Sequence, residues 1–199
     1  MHSVKTSKKC NRSTRHLLPL FKSKKTSDMN KTNFKGNPVN LAGNVPAKGD
    51  QAPDFTYVRQ DLSEKSLKDH GDKIKVIIAV PSLDTGVCQM ETRHFNKDLS
   101  GKDGVIGIVV SKDLPFAMKR FCVDEGIDSV EIASDFRGNF CSQYNTLMTD
   151  GPLKGLSARV VLVLDGDNKV QYTEITDDIT HEPNYAAAME AVEQLSEKV

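Results

Sequence analysis

The residue best placed to do chemistry in this sequence is Cys88. It follows the apolar run Lys75–Val80 and the short segment Pro81–Thr85, and the helix-period segment Val87–Lys97 begins beside it. This order predicts a strand, a tight loop and a helix whose first turn contains the cysteine. Unpaired backbone N–H groups and the positive end of the helix dipole favour an anion there. We therefore expect Cys88 to be exposed and to act as a thiolate that attacks electrophiles, the alternative being a small hydrophobic residue buried in the core.

A reacting thiolate also needs groups that meet the charge on the departing atom. Thr85, three residues before Cys88, can hold its hydroxyl on the same side of the first turn, or it can be a plain N-cap. Arg159 opens an apolar strand, and the sequence alone favours a surface or sheet-edge arginine. Glu91 is expected to face solvent or to pair with a basic group, because a carboxylate aimed at the sulfur opposes thiolate formation. His94 is interpreted as a surface residue.

The other three cysteines are scattered along the chain. Cys122 lies near the end of the predicted helix Pro115–Val123, 34 positions after Cys88, and this separation allows the two sulfurs to meet without requiring it. Cys141 lies among aromatic residues in a helix-period segment and is interpreted as core packing. Cys10 is given no role. The spacing includes neither a C-x-x-C pair nor a set of zinc ligands, so catalytic or redox use is favoured over a structural metal site.

The charge of the chain is divided unevenly, although 27 basic and 27 acidic residues cancel overall. Residues 1–31 contain nine Lys and Arg and a single Asp, a net charge of +8, so residues 32–199 carry −8. This asymmetry predicts a basic tail, residues 1–31, attached to an acidic globular domain, residues 32–199. The tail is interpreted as disordered or as the product of an upstream start; a targeting peptide and a nucleic-acid arm are the alternatives.

Hydrophobic runs in the sequence are too short for a membrane span, since none approaches the ~18 apolar residues that a transmembrane helix needs. The domain is therefore interpreted as soluble and cytoplasmic, with no membrane partner. A nucleic-acid partner is not expected either, because the basic residues of the tail are not interleaved with aromatic ones and no reading motif accompanies them.

Apolar runs alternate with helix-period segments along the domain, which is the α/β pattern. A hairpin and a crossing loop are predicted between Phe34 and Pro53, where Gly-Asn and Gly-Asp pairs interrupt short β-prone pieces. The predicted strands are Lys75–Val80, Val105–Val110, Val130–Ala133, Arg159–Leu164 and Val170–Ile175, and the predicted helices start at Val87, span Pro115–Val123 and Arg137–Leu147, and start at Asn184. The expected fold is a mixed central sheet flanked by helices, as in thioredoxin-like folds, with an added N-terminal β-hairpin.

Four blocks of this sequence together resemble a known family, the thiol peroxidases, which are the atypical two-cysteine branch of the peroxiredoxins. They are Pro81-x-x-x-Thr85-x-x-Cys88, Asp113–Cys122, Ser134–Arg137 and Gly151–Arg159. The resemblance extends from about Phe34 to the C-terminus and leaves the tail outside.

The resemblance implies a role for five residues. Cys88 is similar to the peroxidatic cysteine and Cys122 to the resolving one, so that a sulfenic acid on Cys88 is followed by a Cys88–Cys122 intrachain disulfide. Thr85 and Arg159 correspond to the residues that orient the peroxide and stabilise charge, and Pro81 to the one that shields the sulfur. The family also implies hydroperoxide substrates, a homodimer, recycling by thioredoxin, and neither metal nor flavin as cofactor.

Three other functions compete with this interpretation. A thioredoxin-like disulfide oxidoreductase normally has a C-x-x-C pair, and a glutathione-peroxidase-like enzyme is expected to use a tryptophan, whereas this chain has none. A non-enzymatic redox sensor or chaperone could use the same two cysteines, and the sequence leaves that alternative open.

Overall fold

A computed structural model describes residues 30–197 of the chain. Cys10 and all but the last two residues of the predicted tail lie outside this range, so the boundary between tail and domain stays a prediction. Within the range, no helix combines the length and the apolar composition needed to cross a bilayer.

A mixed β-sheet forms the centre of the domain. The strands of residues 30–197 are β1 (Lys31–Phe34), β2 (Asn37–Asn40), β3 (Thr56–Val58), β4 (Glu64–Ser66), β5 (Ile74–Ala79), β6 (Val105–Ser111), β7 (Val130–Ser134), β8 (Val160–Leu164) and β9 (Val170–Ile175). Seven of them form one sheet in the order β4-β3-β7-β6-β5-β8-β9. Strands β5, β6 and β7 are parallel, and the other neighbours pair antiparallel.

Strands β1 and β2 form the predicted N-terminal hairpin outside this sheet. The two residues of its turn, Lys35 and Gly36, have φ angles of 52° and 77°. Positive φ at both positions is the geometry that matches the right-handed twist of the flanking strands. The glycine predicted to interrupt the β-prone pieces here is therefore the residue that lets the chain reverse.

Helices cover both faces of the sheet. They are α1 (Gly86–Asp98), α2 (Pro115–Glu125), α3 (Phe140–Gln143) and α4 (Tyr185–Ser196), and a single 3₁₀ turn spans Leu67–His70. Helices α1, α2 and α4 pack on one face, in an apolar cluster that includes Phe95, Met118 and Val192. The hairpin and α3 pack on the other face, in a second cluster built around Phe55 and Tyr144.

The central strands follow the prediction closely because their sequences are unbroken apolar runs. All six residues of β5 are buried, as expected of a parallel strand covered on both faces. The expectation of a mixed central sheet, flanking helices and an added hairpin is confirmed.

The helix predicted over Arg137–Leu147 is wrong in length, because α3 has only four residues, Phe140–Gln143. The carboxylate of Asp135 accepts hydrogen bonds from the first two amides of α3, at 2.8 and 3.2 Å, which fixes where the helix begins. At its other end Asn145 has a φ of 56°, a left-handed conformation that ends a helix. The apolar periodicity of the segment does not reveal either stop.

Candidate active site

Cys88 lies where the sequence places it, but its predicted exposure is wrong. Thr85 is the N-cap of α1 and Gly86 the first helical residue, so Cys88 is the third. The side chain is fully buried, at 0% exposure, in the cluster on the α1, α2 and α4 face. Leu83, in the loop between β5 and α1, is buried in the same cluster, and Pro81 of that loop is buried as well.

The guanidinium of Arg159 lies next to this sulfur. Its Nη2 donates to Cys88 Sγ at 3.4 Å. Arg159 is only 1% exposed, so the expectation of a surface or sheet-edge arginine is wrong. The residue directly precedes β8, which pairs with β5 near the middle of the sheet. An arginine at that strand end projects into the core beside the start of α1.

Two further groups fix the orientation of the guanidinium. The carbonyl oxygen of Ile179 accepts from Nε at 3.1 Å and from Nη2 at 2.9 Å. The carboxylate of Glu91 accepts from Nη1, in an ion pair whose two side chains are almost completely buried. Of the two expectations for Glu91, pairing with a basic group is confirmed and facing solvent is wrong.

The buried ion pair sets the charges around the sulfur. Burial raises the pKa of Glu91 to about 7, because a charged carboxylate is poorly solvated there, although Arg159 works in the opposite direction. Burial also disfavours the charge of Arg159, yet Glu91 and Cys88 together hold the pKa of the guanidinium above its ordinary value. Arg159 therefore stays cationic, and it is shared between a carboxylate and the sulfur.

The loop that precedes Cys88 is held by Asp113, a residue whose role the sequence analysis did not identify. Its carboxylate accepts from Leu83 N at 2.7 Å, from Ser82 Oγ at 2.8 Å and from Ser111 Oγ at 2.7 Å. Asp113 stands between the end of β6 and the start of α2, so it connects the Cys88 loop to the segment that leads to Cys122. A carboxylate directly after a parallel strand, at the edge where ligands bind in α/β sheets, is the signal that could have identified it.

Thr85 lies at the exposed end of the same loop. Its hydroxyl donates to the carbonyl oxygen of Ser82 at 3.0 Å. Although Thr85 is the N-cap by position, its side chain makes no capping hydrogen bond to α1. The hydroxyl is therefore engaged with the loop backbone, and the structure does not assign it to either role predicted for it.

Cys122 lies on the same face of the sheet as Cys88, in the same apolar cluster. It is 6% exposed, and its sulfur accepts a hydrogen bond from Gln60 Nε2 at 3.0 Å. Burial raises the pKa of the Cys122 thiol to about 11, and the hydrogen bond from Gln60 offsets this only in part. Both Cys88 and Cys122 are free thiols. Gln60, like Asp113, was not identified from the sequence.

The remaining candidates lie outside this cluster. Cys141 is buried in the cluster on the opposite face, which confirms its interpretation as core packing. His94 is partly exposed, pairs with Asp98 at 3.1 Å and stacks on Tyr185, as expected of a surface residue. Across residues 30–197, no three His, Cys, Asp or Glu side chains come together in a way that could hold a metal ion.

The arrangement around Cys88 suits nucleophilic attack by sulfur. The first turn of α1 and a fixed cation both favour negative charge on or near the thiol. A group that leaves the sulfur as an anion would lie next to the guanidinium of Arg159, whose orientation Ile179 and Glu91 already fix, and donors oriented in advance are how preorganised sites lower a barrier. The site therefore places a thiol at the start of a helix next to a fixed cation.

Comparison with known proteins identifies relatives over most of the domain. Residues 47–189 match the Redoxin family. A thiol peroxidase of Leptospira interrogans (serogroup Icterohaemorrhagiae, serovar copenhageni) is 54% identical over 166 residues, which are 82% of this chain and 97% of that protein. A thiol peroxidase of Aquifex aeolicus is 47% identical over 163 residues, covering 82% of this chain and 96% of that protein.

Solved structures of peroxiredoxin-like proteins have the same fold as this chain. A peroxiredoxin-like protein from Aquifex aeolicus superposes with a TM-score of 0.80 at 46% identity, over 83% of this chain and 97% of that one. A thiol peroxidase from Chromobacterium violaceum superposes with a TM-score of 0.77 at 22% identity, over 85% of this chain and 98% of that one. The second likeness concerns the fold alone.

Proposed function

We propose a peroxidase activity on the premise that this chain belongs to the Redoxin family and is a peroxiredoxin of the thiol peroxidase type. In this proposal the protein reduces hydrogen peroxide and organic hydroperoxides at Cys88. The observation that carries the assignment to Cys88 is the contact of 3.4 Å between its sulfur and the Arg159 guanidinium. Neither of the other two described cysteines has a cation at hydrogen-bond distance from its sulfur, so Cys88 is the candidate nucleophile.

In the first step the Cys88 thiolate attacks the near oxygen of the hydroperoxide. The O–O bond breaks, the far oxygen leaves as an alkoxide or hydroxide that takes up a proton, and Cys88 becomes a sulfenic acid. Arg159 stabilises the charge that grows on the departing oxygen. Pro81 is buried in the loop that leads to Cys88, and its burial supports a role in shielding the sulfur from water. Thr85 would have to release Ser82 in order to orient the peroxide.

In the second step Cys122 closes a disulfide with Cys88. An S–S bond forms, the S–O bond of the sulfenic acid breaks, and the hydroxyl leaves as water with the thiol proton. Helix α1 packs mainly on β6 and α2 on β7, so one or both helices must rearrange locally before the sulfurs can bond. The reduced and oxidised proteins are therefore expected to differ in shape around α2.

Thioredoxin is the proposed reductant of this disulfide, by thiol–disulfide exchange. Two further proposals follow the family resemblance, a homodimeric assembly and a cytoplasmic location. The cytoplasm fits the chemistry because thioredoxin keeps thiols reduced there.

Three variants test the function. Cys88→Ser is expected to abolish peroxide consumption, whereas Cys122→Ser should complete one turnover and then stop, since its sulfenic acid has no intrachain partner. Cys141→Ala is the matched control, because Cys141 is buried on the other face of the sheet. The measurements are peroxide loss with thioredoxin and its reductase, and mass mapping of the disulfide. Steady turnover by Cys88→Ser would refute the proposal, and a single slow oxidation without turnover in the wild type would indicate a redox sensor.

A further inference from the structure

The side chain of Gln60 connects the far edge of the sheet to the sulfur of Cys122. It belongs to the turn between β3 and β4, and its Nε2 donates to Cys122 Sγ at 3.0 Å. Among the hydrogen bonds of residues 30–197, this is the one made to the sulfur of Cys122. The two residues are 62 apart in sequence, so only the folded sheet brings them together.

The turn that carries Gln60 is held rigidly. Arg59 N donates to Ser63 O at 2.8 Å and Leu62 N donates to Arg59 O at 3.0 Å, which closes the turn. The carboxylate of Asp61 accepts from the amide and the hydroxyl of Ser63, at 3.0 and 2.6 Å. Arg59 Nε also lies 3.4 Å from a carboxylate oxygen of Glu131 in β7, which ties the turn to the sheet. The side chain of Gln60 therefore extends from a turn whose backbone is held in place by hydrogen bonds.

The last turn of α2 is held by apolar burial and a backbone hydrogen bond as well as by Gln60. Phe121 and Cys122 are 7% and 6% exposed, and Ile127 N donates to the carbonyl oxygen of Cys122 at 3.0 Å. Gln60 and Ile127 are among the residues that line a cavity of about 530 Å³ on this side. Val123, the neighbour of Cys122, is 74% exposed. The bond from Gln60 is the side-chain hydrogen bond of Cys122 itself, so its loss should weaken the hold on this turn while the apolar contacts and the backbone bond stay in place.

We propose that Gln60 is a positioning residue for disulfide formation: its amide anchors Cys122 in the folded helix, and release of that anchor controls how fast Cys122 reaches the Cys88 sulfenic acid. The inference rests on the proposed role of Cys122 as the resolving cysteine. Attack on Cys88 needs Cys122 to leave its helical position, and in that open state the contact with Gln60 is absent. The hydrogen bond therefore stabilises the starting state and not the state that reacts.

Removing the donor should accelerate the second step. A hydrogen bond of this kind contributes about 1 kcal/mol, which corresponds to about a fivefold larger population of the open state and an equal rise in the rate. Sulfenic acid that is consumed faster by Cys122 has less time to react with a second peroxide and become sulfinic acid. The same variants should therefore lose activity more slowly in excess peroxide.

The experiment compares four proteins by rapid acid quench and peptide mass spectrometry after one equivalent of hydrogen peroxide. Gln60→Ala removes the side chain, and Gln60→Glu keeps its shape without the N–H donor. Leu62→Asn is the matched control in the same turn, because Leu62 has a φ of 69° that asparagine tolerates and is 46% exposed. Both Gln60 variants are expected to form the Cys88–Cys122 disulfide about fivefold faster than the wild type, and Leu62→Asn at the wild-type rate.

A rate in the Gln60 variants equal to or below that of the wild type would overturn the inference while leaving the proposed function intact. Failure of the wild type to form any Cys88–Cys122 disulfide would instead overturn the proposed function. Amide hydrogen exchange provides a measurement that does not depend on catalysis. Exchange across residues 115–125 should quicken about fivefold in Gln60→Glu, with β5 unchanged, and equal loss of protection in both segments would show general destabilisation instead.

Discussion

The surroundings of Cys88 and Cys122 differ sharply, although both sulfurs lie on the same face of one sheet and in the same apolar cluster. Cys88 is fully buried beside a guanidinium that Ile179 and Glu91 hold in place. Cys122 is 6% exposed, and its sulfur accepts one hydrogen bond, from the neutral amide of Gln60 in an edge turn. The groups around the sulfur of Cys88 are fixed in orientation, whereas the sulfur of Cys122 is joined to the edge turn by a single side-chain hydrogen bond.

The difference follows from what each sulfur is proposed to do. A nucleophile that attacks a small molecule gains most from charges that are already oriented, because no reorganisation is needed during the reaction. A resolving thiol must travel to its target, so strong packing around it would slow the reaction. The contrast therefore predicts larger effects on peroxide reduction from changes around Cys88 than from changes around Cys122.

The largest effect is expected when the cation beside Cys88 is removed. Arg159→Met should lower the rate constant for peroxide reduction by about 10²–10³, the usual cost of losing a donor to developing negative charge. It also leaves Glu91 buried without its partner, which would destabilise the fold by about 3–5 kcal/mol. The double variant Arg159→Met/Glu91→Gln avoids that unpaired charge and should be equally slow. Stopped-flow kinetics measure the rate of peroxide reduction by both variants. A rate within threefold of the wild type in the double variant would show that the cation beside Cys88 does not dominate the reaction.

A smaller effect is expected at the exposed end of the Cys88 loop. Thr85→Val should slow peroxide reduction about tenfold, because it removes a hydroxyl whose hydrogen bond to a reacting oxygen can contribute about 1.4 kcal/mol. Thr85→Ser retains the hydroxyl and should react at close to the wild-type rate. If Thr85→Val and Thr85→Ser react at the same rate in this assay, the hydroxyl of Thr85 holds the loop through Ser82 and does not bind the peroxide.

The smallest effect concerns the pH dependence of stability at Cys122. Burial raises the pKa of this thiol to about 11, so an unfolded chain loses the proton at lower pH than the folded protein does. The contribution to stability is complete below about pH 8.5 and is lost as pH rises towards 11, by less than about 1.4 kcal/mol per pH unit. Urea unfolding of the reduced wild type and of Cys122→Ser, at pH 8, 9 and 10, measures the difference. A stability difference that stays constant or grows with pH would show that the site accepts an anion.

Local pattern was sufficient to predict the elements that carry the two cysteines. Strand β5 and the start of α1 are encoded by adjacent residues, an unbroken apolar run and then a loop before a helical period, so their positions agree with the prediction. Helix α3 was predicted too long because its limits depend on Asp135 and Asn145, whose hydrogen bonding and backbone geometry are not visible as periodicity.

The environment of each sulfur could not be predicted from spacing, because distant parts of the chain supply it. Arg159 is 71 residues from Cys88 in sequence, and only the pairing of β8 with β5 brings the two together. The burial of Cys88 was missed for the same reason, since a helix start does not reveal what covers it. The resemblance to thiol peroxidases suggested Arg159, but nothing in it drew attention to Gln60 or to the hydrogen bonds of Asp113.

The hydrogen bonds from Arg159 to the carbonyl oxygen of Ile179 determine which substitutions at position 179 can disturb the guanidinium. A main-chain acceptor is present whatever side chain occupies position 179, so mutation there cannot delete it directly. The side chain is buried, at 3% exposure, so a replacement has to be apolar and of similar size. Ile179→Leu and Ile179→Met should therefore leave the acceptor, and with it the orientation of the guanidinium, in place.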